Sequence, residues 1–483
     1  MGSEDRVEME AEDLVLHVVI ITVPCPGHLI PASQMAKHLL SLGMKVSCFN
    51  TGINYPSVER HFEEKFGEVK IVFRPLRKEN EFVPPGKRLE EHLDWIQHLN
   101  DEAMAERLAE ALRNLTPPPA CIISDMLVGW SQDVANAFHI PRFLLYTMPA
   151  NALLYMITSS TSLVSPAVAP KRPPDIWKSM VDPTSSINDY LHRNARRFCE
   201  AAMILVNTVE DLEAGLLDLM RTELIGKPNV KLEKLLPIGP LIRSYGGEIC
   251  SDNSVSHNQE DTSCAEIFRW LDTQEDSSVL YVSFGTLVTV NESQAHELAH
   301  GLEQSGTPFL WVYRPPEVCQ VLPMDASVQD SLLDGLPTGF MERIEGRGRL
   351  ITQWAPQQLI LSHRSVGGFM SHCGWNSTLE ALWAGKPIVA WPCAIDQELT
   401  ARYLVDDIKL AVEVHKNDDG LVESAEVARA ISLLMDENTG SGIRSWFVKM
   451  QQLAHKAIGE GGSSKTNLKT LVDRLKSHLK TLP

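Results

Sequence analysis

The sequence predicts an α/β protein made of two Rossmann-like domains, each built around a parallel sheet, with a cleft between them. Short apolar runs rich in β-branched residues alternate with longer helical patterns along the chain, as in strand-helix-strand units. With 483 residues the chain is longer than a single hydrophobic core usually supports, so two domains are expected. A cleft between two such domains is a common place for a functional site.

The first half of the chain contains several apolar runs that predict the strands of one sheet. They are LVLHVVIITV, VKIVFRPL, ACIIS, RFLLY and AMILVN. Between them, HLDWIQHLNDEAMAERLAEALRNL has apolar residues at helical spacing, and TPPP ends that helix. We assign residues 1–243 to this first domain. Residues 244–264 predict an interdomain loop because they are polar and have almost no large apolar side chains.

The second half repeats the same alternation and predicts a second sheet. Its strands are expected in VLYVSFGT, PFLWVYR, GRLITQW, VGGFMSH and KPIVAWP, with helices such as NSTLEALWAG between them. We assign residues 265–460 to this second domain. The last segment, residues 461–483, predicts an amphipathic basic helix that we expect to pack back on the first domain.

The charge and the cysteine pattern exclude several classes of protein. A net charge of -18 repels a phosphate backbone, so nucleic acid is not an expected partner. No apolar stretch approaches the roughly 20 residues that span a bilayer, and the acidic N-terminus is unlike a secretory leader. The nine cysteines are never spaced as CxxC, which favours free thiols in a reducing compartment. We therefore expect a cytoplasmic protein without stable membrane insertion.

Two residues of the first half are candidates for acid–base chemistry. His28 follows the predicted strand IITV, before a helix that Pro31 is expected to open, and Asp125 ends the predicted strand ACIISD. Because ligands bind at the carboxyl ends of parallel strands, the two side chains can meet in one crevice. A histidine whose imidazolium is stabilised by a carboxylate is a competent general base. From these two residues alone, a capping histidine and a helix-capping aspartate are the commoner explanation.

The second half contains a candidate anion site in SHCGWNSTLEALWAG. Gly374, Asn376 and Ser377 stand at the start of a helix that follows the predicted strand VGGFMS. Backbone N–H groups at a helix N-terminus, aided by His372, can hold a diphosphate. The formal charges between positions 354 and 397 cancel, so this segment supplies neither a basic clamp nor an evident metal site. Serine and asparagine are also ordinary N-caps, which leaves a purely structural turn equally open.

The segment from Trp354 to Gln397 resembles the signature sequence of plant family 1 UDP-glycosyltransferases. It contains the opening WAPQ, the central HCGWNS, the Glu three residues beyond that Ser and the closing DQ, without insertion or deletion. The resemblance extends to GHLIP, ISD, LYT, PIGPL, WLD and VSFGT, and so covers nearly the whole chain. It implies a GT-B fold, with an acceptor-binding N-terminal domain and a UDP-sugar-binding C-terminal domain.

The resemblance also implies roles for individual residues. His28 resembles the general base of the family, and Asp125 resembles its partner. The remaining matched residues resemble those that contact the donor. They are Trp354, Ala355, Gln357 and Glu380 for the uridine, His372, Gly374, Asn376, Ser377 and Thr286 for the diphosphate, and Trp375, Asp396, Gln397 and Thr147 for the sugar.

The reaction that the resemblance implies is a single in-line displacement that inverts the anomeric configuration. A hexose passes from a UDP-sugar to a hydroxyl of a small hydrophobic acceptor such as a phenolic, a flavonoid or a terpenoid. Glucose is expected, since Asp396 and Gln397 resemble the pair found in glucose-using members, whereas a final His is associated with galactose. No metal and no cofactor beyond the UDP-sugar are expected, and the protein is expected to be a monomer.

Other functions stay open on the sequence alone. A nucleotide-sugar-binding protein without turnover would keep the same fold, and another UDP-sugar would use the same pocket. An NAD-dependent oxidoreductase is disfavoured because no GxGxxG follows a predicted strand. HELAH, from His296 to His300, matches a zinc-protease pattern but lacks a third ligand at a recognised spacing. GEGGSSKT, residues 459–466, approaches a phosphate loop but follows a helical pattern.

Overall fold

The computed structural model of this chain contains two parallel sheets, one in each half. The structure describes residues 16–52, 65–66, 69–70, 73–76, 103–163, 186–228, 230–242, 259–286, 290–314, 335–352, 355–393, 396–436 and 440–479. Within these ranges, helices cover both faces of each sheet, which is the architecture that the alternating pattern predicts.

The first half forms a parallel sheet with the order β5-β2-β1-β6-β7-β8-β9 in the described part of the chain. A short antiparallel pair, β3 with β4, stands outside it. The strands are β1 (His17–Thr22), β2 (Lys45–Asn50), β3 (Lys65–Phe66), β4 (Val69–Lys70), β5 (Phe73–Pro75), β6 (Cys121–Asp125), β7 (Arg142–Tyr146), β8 (Met203–Val206) and β9 (Lys234–Pro237). The chain reverses its direction of travel across the sheet between β1 and β6.

The second half repeats this arrangement, with the order β12-β11-β10-β13-β14-β15. Its strands are β10 (Val279–Ser283), β11 (Phe309–Val312), β12 (Gly348–Ile351), β13 (Val366–Ser371), β14 (Ile388–Ala390) and β15 (Ala411–Glu413). Here the reversal falls between β10 and β13. In open α/β sheets a crevice for ligands forms at such a reversal, so each half has one.

Helices connect the strands and account for most of the remaining described residues. They are α1 (Pro26–Ser41), α2 (Ala103–Arg113), α3 (Ser131–Ala137), α4 (Ala150–Ser160), α5 (Ser186–Arg196), α6 (Glu210–Leu224), α7 (Gln259–Asp272), α8 (Glu292–Ser305), α9 (Phe340–Arg343), α10 (Gln357–Ser362), α11 (Trp375–Ala384), α12 (Gln397–Arg402), α13 (Ser424–Met435), α14 (Ser441–Ile458) and α15 (Ser463–Leu479). A 3-10 turn (Phe198–Glu200) and a π-helical turn (Tyr403–Asp407) complete the set.

The final helix, α15, packs on the sheet of the first half. Leu471 and Leu475 lie in the same apolar cluster as Val18 and Ile20 of β1. Asn467 Nδ2 also donates a hydrogen bond to the Pro237 carbonyl over 2.8 Å. Helix α15 therefore contacts the N-terminal sheet although it follows the second half in sequence.

Sequence reasoning predicted most of this architecture, with some omissions. Each predicted apolar run contains a described strand, but β2, β3, β9 and β15 were not predicted, since they are short or carry polar residues at half their positions. Helix α7 begins at Gln259 and so includes the last residues of the predicted loop 244–264. The first turn of α7 contains only polar residues, so a hydropathy pattern does not indicate where the helix begins. The predicted helix before TPPP is described only from Ala103 onward.

Among the described residues, no helix has the length and apolar content needed to cross a bilayer.

Candidate functional site

Helix α1 begins immediately after β1 and carries His28 in its first turn. The helix begins at Pro26, so the expectation that Pro31 opens it is wrong. Proline is tolerated at the first position of a helix, and Pro31 lies inside, where it lacks the N–H that would bond to the Gly27 carbonyl. That carbonyl instead accepts a hydrogen bond from Asn376 Nδ2 over 2.8 Å. Because Pro31 cannot donate to the Gly27 carbonyl, that carbonyl is available to accept a hydrogen bond from the second half of the protein.

His28 and Asp125 meet at the reversal point of the first sheet. His28 Nδ1 lies 2.7 Å from Asp125 Oδ2, and Asp125 Oδ1 accepts the backbone N–H of Leu127 at 2.8 Å. The Asp125 side chain is fully buried, while that of His28 is 20% exposed. A carboxylate can only accept, so Nδ1 of His28 carries the hydrogen. The Thr147 hydroxyl lies 3.4 Å from the same nitrogen.

Charges from both halves act on His28. Burial lowers the pKa of His28, but the charge and hydrogen bond of Asp125, with the charge of Asp396, raise it above its ordinary value. Asp396 belongs to the second half, and burial raises its pKa to about 6, an effect that the charge of His28 opposes. Each of these two residues therefore influences the pKa of the other, although they belong to different halves of the chain.

At the reversal point of the second sheet, His372 is enclosed between two glycines. A methyl group at Gly285 would stand 2.5 Å from His372 Nε2, and one at Gly374 would stand 2.4 Å from it. His372 Nδ1 is buried without a hydrogen-bond partner among the described residues. Burial, with a smaller contribution from the charge of Arg314, lowers the pKa of His372 to about 4. The imidazole is therefore neutral near pH 7 and can donate only one hydrogen bond.

The start of α11 leaves its first backbone N–H groups without a capping side chain. Its N-cap is Gly374, and Cys373 before it has φ 65°, a left-handed conformation that turns the chain sharply from β13 into the helix. An uncapped helix N-terminus at the carboxyl edge of a parallel sheet favours the binding of an anion. His372 lies beside it, on the strand end that leads into the turn.

Some of the remaining predicted donor residues lie on this helix or are bonded to it. Gln357 Nε2 donates to Ser377 Oγ at 2.9 Å and to Glu380 Oε2 at 2.7 Å, which joins three of them directly. Ala355 is buried and its carbonyl accepts the N–H of Gln357. Thr286 directly follows Gly285 beyond β10. Trp354 lies outside the described residues.

Two predicted sugar contacts have side chains that already bond to protein groups. Trp375 is 3% exposed, and its Nε1 donates to the Asn207 carbonyl of the first half at 2.6 Å. Gln397 Oε1 accepts the backbone N–H of Cys393 at 3.0 Å. The Trp375 indole thus joins the two halves.

Arg314 brings a positive charge to this site that the sequence did not indicate. The charge balance of residues 354–397 indicated no basic group at the anion site, but Arg314 comes from the end of β11. Its Nη1 donates to the Gly285 carbonyl at 2.6 Å, and its charge acts on His372. The only signal for it in the sequence was an arginine at the carboxyl end of a predicted strand.

The zinc-protease pattern lies on an ordinary surface helix. Asn291 Oδ1 caps α8 by accepting the N–H of Gln294, Glu297 accepts the N–H of Ser424, and His300 bonds to Glu303. In the described ranges, no three His, Cys, Asp or Glu side chains converge in a way that would hold a metal ion. Glu297 and His300 therefore have structural partners of their own, whereas His296 Nε2 is buried without a hydrogen-bond partner among the described residues.

Solved structures with the same architecture define the class. The chain superimposes on Phytolacca americana UGT2 complexed with UDP-2fluoro-glucose and pterostilbene with a TM-score of 0.78 at 31% identity, covering 95% of this chain and 100% of that one. A ugt transferase from Siraitia grosvenorii in complex with UDP gives 0.77 at 29% identity, covering 95% and 99%. Two parallel-sheet halves with facing sites and these neighbours define a glycosyltransferase of the GT-B fold.

Sequence comparison then identifies the family. Residues 207–439 match the family model described as UDP-glucoronosyl and UDP-glucosyl transferase. UDP-glycosyltransferase 72B1 of Arabidopsis thaliana is 32% identical, covering 96% of this chain and 97% of that protein. Hydroquinone glucosyltransferase of Rauvolfia serpentina is 31% identical, covering 93% and 95%. The chain belongs to the plant family 1 UDP-glycosyltransferases and transfers a glycosyl group from a UDP-sugar.

Proposed function

We propose that the protein transfers glucose from UDP-glucose to a hydroxyl of a small hydrophobic acceptor, with inversion at the anomeric carbon. His28 acts as general base through Nε2, since Nδ1 is held by Asp125. The acceptor oxygen attacks the anomeric carbon from the side opposite UDP. Hydroquinone glucosyltransferase among the relatives and pterostilbene in a neighbouring structure support a phenolic acceptor.

One contact carries this proposal above the others. Asn376 in the first turn of α11 donates to the carbonyl of Gly27, the residue before His28, at 2.8 Å. A diphosphate at the start of α11 would therefore lie within one sugar's reach of the base. This proximity is what a direct displacement between donor and acceptor requires.

Stabilisation of the departing UDP is assigned to protein groups. The N-terminus of α11 and its unpaired backbone N–H groups supply partial positive charge, and neutral His372 supplies a hydrogen bond. Arg314 adds a full charge beside them. The residues present thus fit a diphosphate that departs without a metal ion, as we propose.

The proposed function is tested by a UDP-release screen over phenols, flavonoids, terpenoids and small acids, with several UDP-sugars and with or without EDTA. We expect acceptor-dependent UDP release that EDTA does not change. A protein that only binds nucleotide sugars would release no UDP with any acceptor. Loss of activity with EDTA and its return with zinc or manganese would contradict the metal-independent mechanism.

The pH dependence of turnover is expected to respond to Asp125. Because the charge of Asp125 raises the pKa of His28, Asp125→Asn lowers that pKa. The unprotonated base then persists to lower pH, so the acidic limb of the kcat/KM profile shifts to lower pH while the plateau falls. The control is Asp133→Asn, which removes a surface partner of Arg197. If the acidic limb of Asp125→Asn is not shifted, the assignment of His28 as the titrating base is contradicted.

Donor choice is expected to depend on Asp396 and Gln397. A carboxylate and an amide can together bind neighbouring equatorial hydroxyls, so an axial hydroxyl leaves one polar group unpaired. Each lost bond costs about 1 to 3 kcal/mol, a preference of roughly 5- to 150-fold. Equal UDP-glucose, UDP-galactose and UDP-glucuronic acid compete for one acceptor, with wild type and Gln397→His. Wild type should prefer UDP-glucose. A preference for either other donor would contradict the assignment of glucose but not the assignment as a glycosyltransferase.

A further inference from the structure

Glu213 is a buried carboxyl group that the proposed reaction does not use. It is 2% exposed and lies inside α6, where its backbone (φ -125°, ψ 24°) departs from helical values. Its two oxygens accept the N–H of Ala150 at 2.8 and 2.9 Å, and Oε1 also accepts the N–H of Asn151 at 3.3 Å. A buried carboxylate and a distorted helical turn are both unfavourable for stability, so the arrangement calls for a functional explanation.

The groups that Glu213 binds begin helix α4. Pro149 is the N-cap of this helix and makes no side-chain capping bond, so Glu213 satisfies the first N–H groups in its place. The segment before Pro149 leads directly back to Thr147, whose hydroxyl lies 3.4 Å from Nδ1 of His28. Fixing the start of α4 therefore fixes the loop that carries Thr147 beside the base.

The same end of α4 contacts the second half of the protein. Asn151 Nδ2 donates to the Leu399 carbonyl at 3.1 Å, and Ala152 packs on the Leu399 side chain. Leu399 lies in the first turn of α12, which begins at Gln397. Close by, Tyr403 Oη donates to the carbonyl of Leu212, the residue before Glu213, at 2.6 Å. The start of α4 is thus bonded to the helix that presents Asp396 and Gln397.

We propose that Glu213 is a positioning residue that keeps the base and the sugar-binding residues in register across the cleft. It caps α4, and α4 holds Thr147 against His28 on one side and α12 on the other. The inference rests on the proposed function, because it assumes that Thr147, Asp396 and Gln397 contact the transferred sugar. It requires no contact between Glu213 and the substrate.

The test compares Glu213→Gln with Asn151→Ala and with the control Glu210→Gln. Glutamine has one acceptor oxygen where two accept from Ala150, so the start of α4 is released. Glu210 lies on the same helix and pairs with Arg221.

We measure kcat with UDP-glucose and an acceptor, UDP affinity by calorimetry, and thermal stability. Glu213→Gln should lose about 10- to 100-fold in kcat and Asn151→Ala about 3- to 10-fold, with UDP affinity within about twofold of wild type, since misplacement acts on the reacting groups. Glu210→Gln should change Tm alone.

The outcomes separate this inference from the proposed function. If wild-type protein transfers no sugar, the proposed function fails. If wild type is active but both variants keep kcat within about twofold of it, the positioning role is overturned. A loss of kcat matched by an equal loss of UDP affinity also overturns it, because that pattern indicates general damage to the fold. If Glu213→Gln does not fold, Asn151→Ala alone tests the positioning role: a loss of about 3- to 10-fold in kcat with unchanged UDP affinity supports it, and a kcat within about twofold of wild type overturns it.

Discussion

Replacement of His28 by alanine is expected to lower kcat by about 10²- to 10⁴-fold, the usual contribution of a general base. UDP affinity should stay unchanged, because His28 lies on α1 of the first half and UDP is assigned to the second. An alkyl alcohol acceptor should show the full loss, whereas a more acidic phenol, which ionises more easily, should show less. The measurement is steady-state turnover with both acceptor types, together with calorimetry of UDP binding.

His38→Ala serves as the matched control for His28→Ala. His38 lies in the last turn of the same helix, away from Asp125. It should leave turnover at the wild-type level. Turnover of His28→Ala on an alkyl alcohol at the wild-type rate would refute the assignment of His28 as base, whatever the phenol shows.

Gly374→Ala is expected to weaken UDP binding by roughly 10- to 150-fold, the loss of one hydrogen bond to a charged group at about 1.5 to 3 kcal/mol. The backbone of Gly374, with φ -60°, tolerates alanine, so strain is not the cause. The new methyl would stand 2.4 Å from His372 Nε2, and Gly285 also lies against this ring. The imidazole must therefore leave its place beside the start of α11. Calorimetric titration with UDP measures the effect.

Gly442→Ala is the control for this change, since a methyl group there meets nothing within 4 Å. Both glycines stand at the beginning of a helix, so any general effect of alanine at such a position appears in both variants. UDP affinity of Gly374→Ala equal to that of Gly442→Ala would show that His372 does not bind the diphosphate.

The fold and the donor segment were accessible from the sequence because they rest on local patterns. Strands such as β1 and β13 are continuous apolar runs, and the start of α11 is indicated by residues that are consecutive in the sequence. Strand β2, KVSCFN, was not predicted because half of its residues are polar, although it pairs with β1 on one edge and with β5 on the other. The start of α1 was misjudged because both Pro26 and Pro31 are possible first residues.

Residues that act through distant contacts could not be predicted in the same way. Glu213 lies in a helix rich in acidic residues, and nothing nearby in sequence distinguishes it from Glu210. Its role depends on Ala150, which is brought to it only by the pairing of β7 with β8. Arg314 likewise reaches Gly285 because β10 and β11 are neighbours in the sheet. Such contacts are set by strand order, which local patterns do not specify.

The proton NMR spectrum of a reaction with UDP-α-glucose and hydroquinone shows both the transfer and the configuration of its product. We expect UDP and a hydroquinone glucoside to accumulate in equal amounts, and the first glucoside formed to have the β configuration. A single displacement permits no other anomer. An α-glucoside as first product, or UDP and free glucose without glucoside, would contradict direct transfer to an acceptor activated by His28.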